Sequence, residues 1–422
     1  MNQAGNGRLR PQLNLFDAVA TGLAAILGAG IFSVLAPATG LAGSSVVVAL
    51  VFAGGLAFCN AMSSVQLAAL LPRTGGTYQF GRLMLGPAWG FMAGWMFLIA
   101  NTVGPGVIAI AFGSYLHAVA PGIPARLAAV GLAIVTTAIN AGGVRRSVRL
   151  TDLLVVISIA ALLLVVILGL PAARPEHLLP FAPHGPLGVL RSAGLLFFAY
   201  TGYSRIATLV EEVRQPRSTI PRASAIALGS ALVLYLLVAI TAIAVLGPAR
   251  LSHSSSPLRS TLVAAGVVAG PALVVGGALV TTFDEALSDL LGVSRVLFAM
   301  GREGDLWSGL ARLGPNQNPW LSVMCCGAVS AAVAAWAPFT TAVAVSSFGT
   351  LLYYAVTNAS ALRLTPEQRF LPRWLAIAGL AGCIILAFTL AALQIAIGLS
   401  IAALGGLTYW LRSRRSGSSQ IV

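Results

Sequence analysis

Thr21-Gly22-Leu23-Ala24-Ala25-Ile26-Leu27-Gly28-Ala29-Gly30-Ile31-Phe32, followed by Pro37, and Phe197-Phe198-Ala199-Tyr200-Thr201-Gly202-Tyr203 are two apolar stretches interrupted at their centres, with Gly30 and Gly202 172 residues apart. A helix that crosses a bilayer must satisfy its backbone N–H and C=O groups within itself. An interruption is tolerated only where a cavity or a ligand receives the freed groups. Glycine also lets membrane helices pack closely, and one Gly-X-Gly alone would mean no more than that. Two interruptions at one offset point to two related halves with a binding site between them, near the membrane midplane.

The rest of the chain supports a membrane setting. Of 422 residues 58% are apolar and 9% charged, against about 25% charged in soluble domains. The mean hydropathy is +0.90, and apolar runs of about 20 residues recur. A soluble globular domain, a disordered chain, a nucleic-acid-binding module and a secreted disulfide scaffold are all excluded. About twelve spans are expected. Six centre near Ala29, Phe58, Thr102, Ala133, Ala161 and Tyr200, and six near Val233, Glu285, Val329, Tyr353, Leu380 and Leu404. The offset between the breaks carries the third span onto the eighth and the fifth onto the tenth. The expected division is a tail over 1–14, a first repeat of five spans over 15–171, a second over 190–364, two further spans over 372–411 and a tail over 412–422.

The net charge of +14 comes from 25 arginines without one lysine, and these sit between or at the ends of apolar runs. With the N-terminus inside, 20 of them fall on the inner side, leaving Arg126, Arg174, Arg191, Arg250 and Arg259 outside. That asymmetry is the positive-inside pattern, not a basic groove, and it sets both termini in the cytoplasm. The histidines (117, 177, 184, 253) fall near outer loops and carry no assigned role. Cys59, Cys325, Cys326 and Cys383 sit within apolar runs without metal-ligand spacing, as small core side chains do. No signal peptide is expected, and no cofactor or resident metal is called for.

At Gly28–Gly30 a ligand can approach bare main chain, and the half-helix that follows points its positive end into the gap. That suits a carboxylate. Carbonyls at the ends of the other half-helices suit an ammonium group or Na⁺. A site offering both suits a zwitterion, with free amino acids the obvious class. The run from Phe197 through Glu211-Glu212-Val-Arg-Gln-Pro216 to Pro221-Arg-Ala closely resembles the sixth span and following loop of the amino acid–polyamine–organocation transporters. So do Gly28-Ala-Gly-Ile-Phe32, Leu71-Pro-Arg-Thr-Gly-Gly76-Thr-Tyr78, and Leu291-Gly-Val-Ser-Arg295 through Gly301-Arg-Glu-Gly-Asp305. The motifs fall in order over roughly residues 13–365, and the last two spans are generic. The resemblance implies an all-α, five-plus-five inverted repeat of the LeuT type with spans one and six broken. It places Gly28, Ala29, Gly30 and Ile31 at the substrate carboxylate and the Ala199 and Thr201 carbonyls at its ammonium. It makes Phe198 an aromatic gate, and lines the side-chain pocket with Tyr200, Gly202, Tyr203, Ser204 and span-three residues from Asn101 to Pro105.

The chain departs from that pattern twice. Proton-coupled relatives often carry a lysine in the fifth span, where Ser158 stands here, so a lysine cannot couple transport. Conversely, Asp284, Glu285 and Asp289 lie inside span eight, where an ionised carboxylate costs at least ~2.5 kcal/mol. Glu285 and Asp289 share a helix face at i, i+4. They are candidates for a proton site or, with Ser288, for a Na⁺ site near Ser288/Asp289. They are equally candidates for a structural ion pair with Arg205, and less so for direct substrate contact. Glu211, Glu212 and Arg214 read as an inner gate. Nothing resembles a hydrolytic triad, metal cluster, P-loop or Rossmann turn. The expected protein is not an enzyme but a secondary amino acid transporter of a bacterial inner membrane, symporter or antiporter, monomeric or homodimeric. The alternatives are an uncoupled amino acid exchanger and a non-transporting membrane sensor, the latter disfavoured by the short loops.

Overall fold

The computed structural model describes residues 14–70, 76–143, 148–203, 205, 206, 213, 215–314 and 318–417. α1 (Leu15–Ile26) starts at a capping box, in which the Asn14 side chain accepts from the Asp17 N–H and the Asp17 carboxylate accepts from the Asn14 N–H. The chain leaves the helix at Leu27 and Gly28, makes a π-helical turn over Gly30–Val34, and continues as α2 (Leu35–Ala42). Gly43, at φ +64°, turns it back into α3 (Val46–Leu70). The apolar stretch Leu15–Leu70 is 56 residues long, about twice one bilayer crossing, and this turn divides it.

α4 (Gly76–Met84) is a short connecting helix before α5 (Pro87–Val119), α6 (Ala125–Ala141) and α7 (Val148–Gly169). The second half opens with α8 (Gly185–Leu196), which tightens into a 3-10 helix over Phe197–Tyr203. α9 (Pro216–Leu246) and the short α10 (Pro248–Ser252) and α11 (Pro257–Ala264) come next. α12 (Gly270–Arg302), α13 (Trp320–Trp336), α14 (Phe339–Leu362), α15 (Arg373–Thr389) and α16 (Ala392–Gly417) complete the chain.

Six stretches of the described residues are long and apolar enough to cross a membrane, and α6, α13 and α15 are shorter apolar helices. The expected sixth and eighth spans are not among the six. The sixth is cut short by its 3-10 turn, and three carboxylates lower the apolarity of α12. Large apolar side chains such as Phe52, Ile134, Val156, Ile167 and Leu237 stand on the outside of the bundle, where only lipid would shield them. Trp89, Trp320, Trp336, Trp374 and Trp410 are exposed at or near helix ends, the interfacial position tryptophan favours.

Both halves place their helices in the same order, but not at one offset. α3 and α9 begin 170 residues apart, α5 and α12 183, and α7 and α14 191. The difference from the expected constant offset arises partly in α9, which at 31 residues is longer than the 25 of α3, and partly in the connections, where α10, α11 and the longer segment after α12 add residues. α1 packs on α9 as α8 packs on α3, α5 on α14 as α12 on α7, and α5 on α13 as α12 on α6. The first span is covered unevenly: most of 15–25 is exposed or half-exposed, whereas 26–36 is continuously buried.

Candidate substrate site at the two helix breaks

The breaks at 27–30 and 197–203 touch each other through glycines. A Cβ on Gly30 would fall on the Ala199 Cα, and a Cβ on Gly202 would fall on the Ala25 carbonyl. Each half thus contributes one glycine that lets the other half's main chain come into contact, which a side chain would forbid. Gly28 has a different neighbour, because a Cβ there would fall on the Glu285 carboxylate.

Backbone groups freed by the breaks find side-chain partners, as buried polar groups must. The Tyr235 hydroxyl on α9 lies 2.7 Å from the Ile26 carbonyl and 3.1 Å from the Ala199 carbonyl. It has one proton, so it serves one carbonyl at a time and leaves the other open to a further donor. The Tyr115 hydroxyl on α5 donates to the Phe32 carbonyl at 2.6 Å, and the Thr201 hydroxyl to the Phe198 carbonyl at 3.0 Å. The Ala29 N–H donates to Glu285 Oε2 at 2.5 Å. Tyr235 and Tyr115 were not legible as site residues. The available signal was a tyrosine in the middle of an apolar span, whose hydroxyl needs a polar partner.

The residues expected to form the site divide into two groups. Gly28 and Ala29 meet Glu285 and Gly30 meets Ala199, while Gly202 meets Ala25 at the end of α1, and Ile31 and Phe198 are buried beside them in the chain. Asn101 folds its amide back onto the Phe97 carbonyl at 2.9 Å, and Pro105 interrupts α5 from within. Buried Gly104 between them has no atom within 4 Å of where a Cβ would stand, so α5 faces open space there. Tyr200 instead turns to α3, packs beside Gly54 and donates to the Leu50 carbonyl at 3.2 Å. Tyr203 turns to α14 and packs on the Tyr354 ring, with centroids 5.1 Å apart. Ser204, Glu211, Glu212 and Arg214 lie outside the described residues.

Glu285 and Asp289 on α12 form different bonds. Asp289 pairs with Arg205 at 2.6 Å, one of the roles left open by the sequence, while Glu285 reaches the α1 break. They are not bonded to each other, but at i, i+4 each carboxylate lies within the field of the other. Asp284 and Glu285 line a small cavity with Ala24, Leu27, Leu154, Val155, Ser158 and Thr281. The Ser158 and Thr281 hydroxyls are hydrogen-bonded across it at 2.6 Å. The cavity has room for a guest the size of one water molecule. Among the described residues no three His, Cys, Asp or Glu side chains converge as a metal site.

A second polar cluster lies where α4, the segment after α12 and the end of α16 meet. Buried Asp305 accepts hydrogen bonds from the Tyr78 hydroxyl and from Arg412, and Arg82 stands 3.4 Å away. Burial and the Asp305 carboxylate push the Tyr78 hydroxyl up to about 12. Tyr78 and Asp305 both stand in the motifs that carry the resemblance, but spacing alone gave no sign that they meet.

These features agree with what the chain resembles. The amino acid permease profile matches residues 13–410. An uncharacterised transporter of Mycobacterium tuberculosis (strain H37Rv) is 43% identical over 409 residues, 96% of this chain and 92% of that one. In Bacillus subtilis (strain 168) a methylthioribose transporter is 27% identical, covering 87% of this chain and 84% of its own. A branched-chain amino acid permease of the same organism is 25% identical, covering 88% and 84%. The chain is a multi-pass membrane protein that belongs to the amino acid permease family, within the amino acid–polyamine–organocation transporters.

Proposed function

We propose that the protein is a secondary transporter that moves amino acids, or related organic amines, across a bacterial cytoplasmic membrane by alternating access, with both termini in the cytoplasm. The reading takes the chain as twelve spans, with inverted repeats over 15–171 and 190–364 and two further spans over 372–411. The paired packing supports it: exchanging α1 with α8, α3 with α9, α5 with α12, α6 with α13 and α7 with α14 maps one set of packed neighbours onto the other. The observation that carries the function is the contact of the two breaks. Gly30 and Gly202 bring the two breaks together, with the Ala29 N–H on one side and the carbonyls of Ile26 and Ala199 on the other. Donors on one side and acceptors on the other fit the carboxylate and ammonium of an amino acid. The relatives' named cargoes include a branched-chain amino acid and methylthioribose, and this donor–acceptor pairing favours the amino acid.

Coupling to a proton or cation is supported by the cavity of Ser158, Thr281, Asp284 and Glu285 between the first, fifth and eighth spans. Uncoupled exchange is the second reading, favoured by the Arg205–Asp289 pair, which neutralises one of the acids. Proteoliposome uptake separates them. Labelled leucine, arginine, glycine and methylthioribose are offered with an imposed pH or Na⁺ gradient, or with unlabelled amino acid inside. Gradient-driven amino acid uptake supports coupling, and uptake that needs only internal amino acid supports exchange. Uptake of methylthioribose alone overturns the amino acid reading, and no uptake of any of them overturns transport of this class.

A further inference from the structure

We propose that Glu285 is a tethered occupant of the substrate's carboxylate seat: its side chain holds the Ala29 N–H while the site is empty, and substrate docks when Glu285 takes up a proton and lets go. This inference rests on the proposed function, in which the bare main chain at 28–31 receives the substrate carboxylate. Two observations place a carboxylate there already. Glu285 Oε2 accepts from the Ala29 N–H at 2.5 Å, and the space a side chain at residue 28 would fill is taken by the Glu285 carboxylate. Gly28 therefore provides clearance for a residue of this chain as well as access for a ligand. The third acid of α12 does not share this contact, since Asp289 is engaged by Arg205 at 2.6 Å.

A substrate carboxylate arriving at Ala29 would compete for the same N–H and would stand against a like charge. Protonating Glu285 removes both obstacles, because a neutral carboxyl is a weaker acceptor and no longer repels an anion. The charged and titratable groups around Glu285 are Asp284 and Asp289 on its own helix, Arg205 after the 3-10 turn and Tyr235 on α9. α7 contributes the Ser158 hydroxyl across the cavity. The step balances as one proton taken up at the Glu285 carboxylate for each substrate bound. That proton is released when Ala29 recaptures the carboxylate after the substrate leaves. A carboxylate-free cargo would bind without this exchange.

The test uses the full-length protein in nanodiscs and has two parts. Hydrogen–deuterium exchange of the peptide containing Ala29, without substrate, is compared at one pH between wild type, Glu285→Gln and Glu285→Asp. The first variant keeps the shape and removes the charge, and the second keeps the charge and shortens the reach. Faster exchange in both supports the tether, and exchange unchanged in both overturns it. Binding of labelled leucine and arginine is then followed against pH. Uptake of one proton per substrate tightens wild-type binding by up to about tenfold for each unit of falling pH. Glu285→Gln should bind at least about fivefold more tightly than wild type near neutral pH, with the slope flattened. Weaker binding by Glu285→Gln, or a slope like that of wild type, overturns the competition. Faster exchange with no amino acid bound at any pH by either protein leaves the tether standing and overturns the substrate reading beneath it.

Discussion

At the scale of single residues, three glycines separate packing from access. Gly30 and Gly202 face backbone of the opposite half, so even an alanine must displace main chain. Gly30→Ala and Gly202→Ala should each cost about 1–3 kcal/mol as overpacking, read as a lower melting temperature of the purified protein. Gly104 faces open space. Gly104→Ala should leave stability unchanged or raise it by up to about 1 kcal/mol while weakening substrate binding, because the methyl group enters the space beside Asn101. Tyr235→Phe leaves the Ile26 and Ala199 carbonyls without their hydroxyl, at about 1–3 kcal/mol, and the melt should show it. Residues of the first kind were legible, because a glycine that interrupts an apolar run marks itself. Tyr235 was not, because its hydroxyl is matched to a carbonyl 209 positions earlier in the chain, and no local pattern encodes such a meeting.

At the scale of elements, the number and order of the long helices follow from apolar runs and their punctuation. The division of roles along α12 does not. Helical spacing put Glu285 and Asp289 on one face, and their different partners come from α1 and from Arg205, elements distant in sequence. The same holds for the junction of α4, α16 and the segment after α12, where Asp305 gathers Tyr78, Arg82 and Arg412. Arg82 and Arg412 are more than a third exposed on their side chains, so solvent screens part of their attraction. Asp305→Asn should cost about 1–2 kcal/mol, less than a fully buried pair, and should loosen the end of α16 to proteolysis. Tyr78 sets the alkaline limit of this junction. Its hydroxyl stays protonated in the folded protein up to about 12, above its ordinary value near 10. Between those values the unfolded chain ionises first, so the contribution of Tyr78 is whole below about 10 and fades as pH rises towards 12. Melting curves of wild type and Tyr78→Phe should therefore converge in slope outside that window and differ within it.

At the scale of the whole molecule, the all-helical membrane fold was legible because long apolar runs recur, and the departures from a fixed offset lie in the longer α9 and in connections that bury Leu251, Leu258 and Leu262 against the bundle. The uneven covering of the first span was not legible, since it depends on which neighbours close over it. With Cys325, the one exposed cysteine among the four described, replaced by serine, a cysteine at Leu23 should react with an impermeant maleimide applied from the side of the N-terminus. A cysteine at Ala36 should not react from either side. Comparable labelling at both positions would contradict the arrangement described. The same asymmetry sets a kinetic bias. Under the proposed alternating access, a molecule approaching from the N-terminal side meets the partly exposed residues 15–25, whereas one approaching from the opposite face meets the closed residues 26–36 and waits for the other conformer. Its apparent affinity is lowered by that conformer's population, about a hundredfold for a state occupied one part in a hundred. An inhibitor raised against the resting protein would then act from the side of the N-terminus, and one applied from the opposite side would have to trap the minority state.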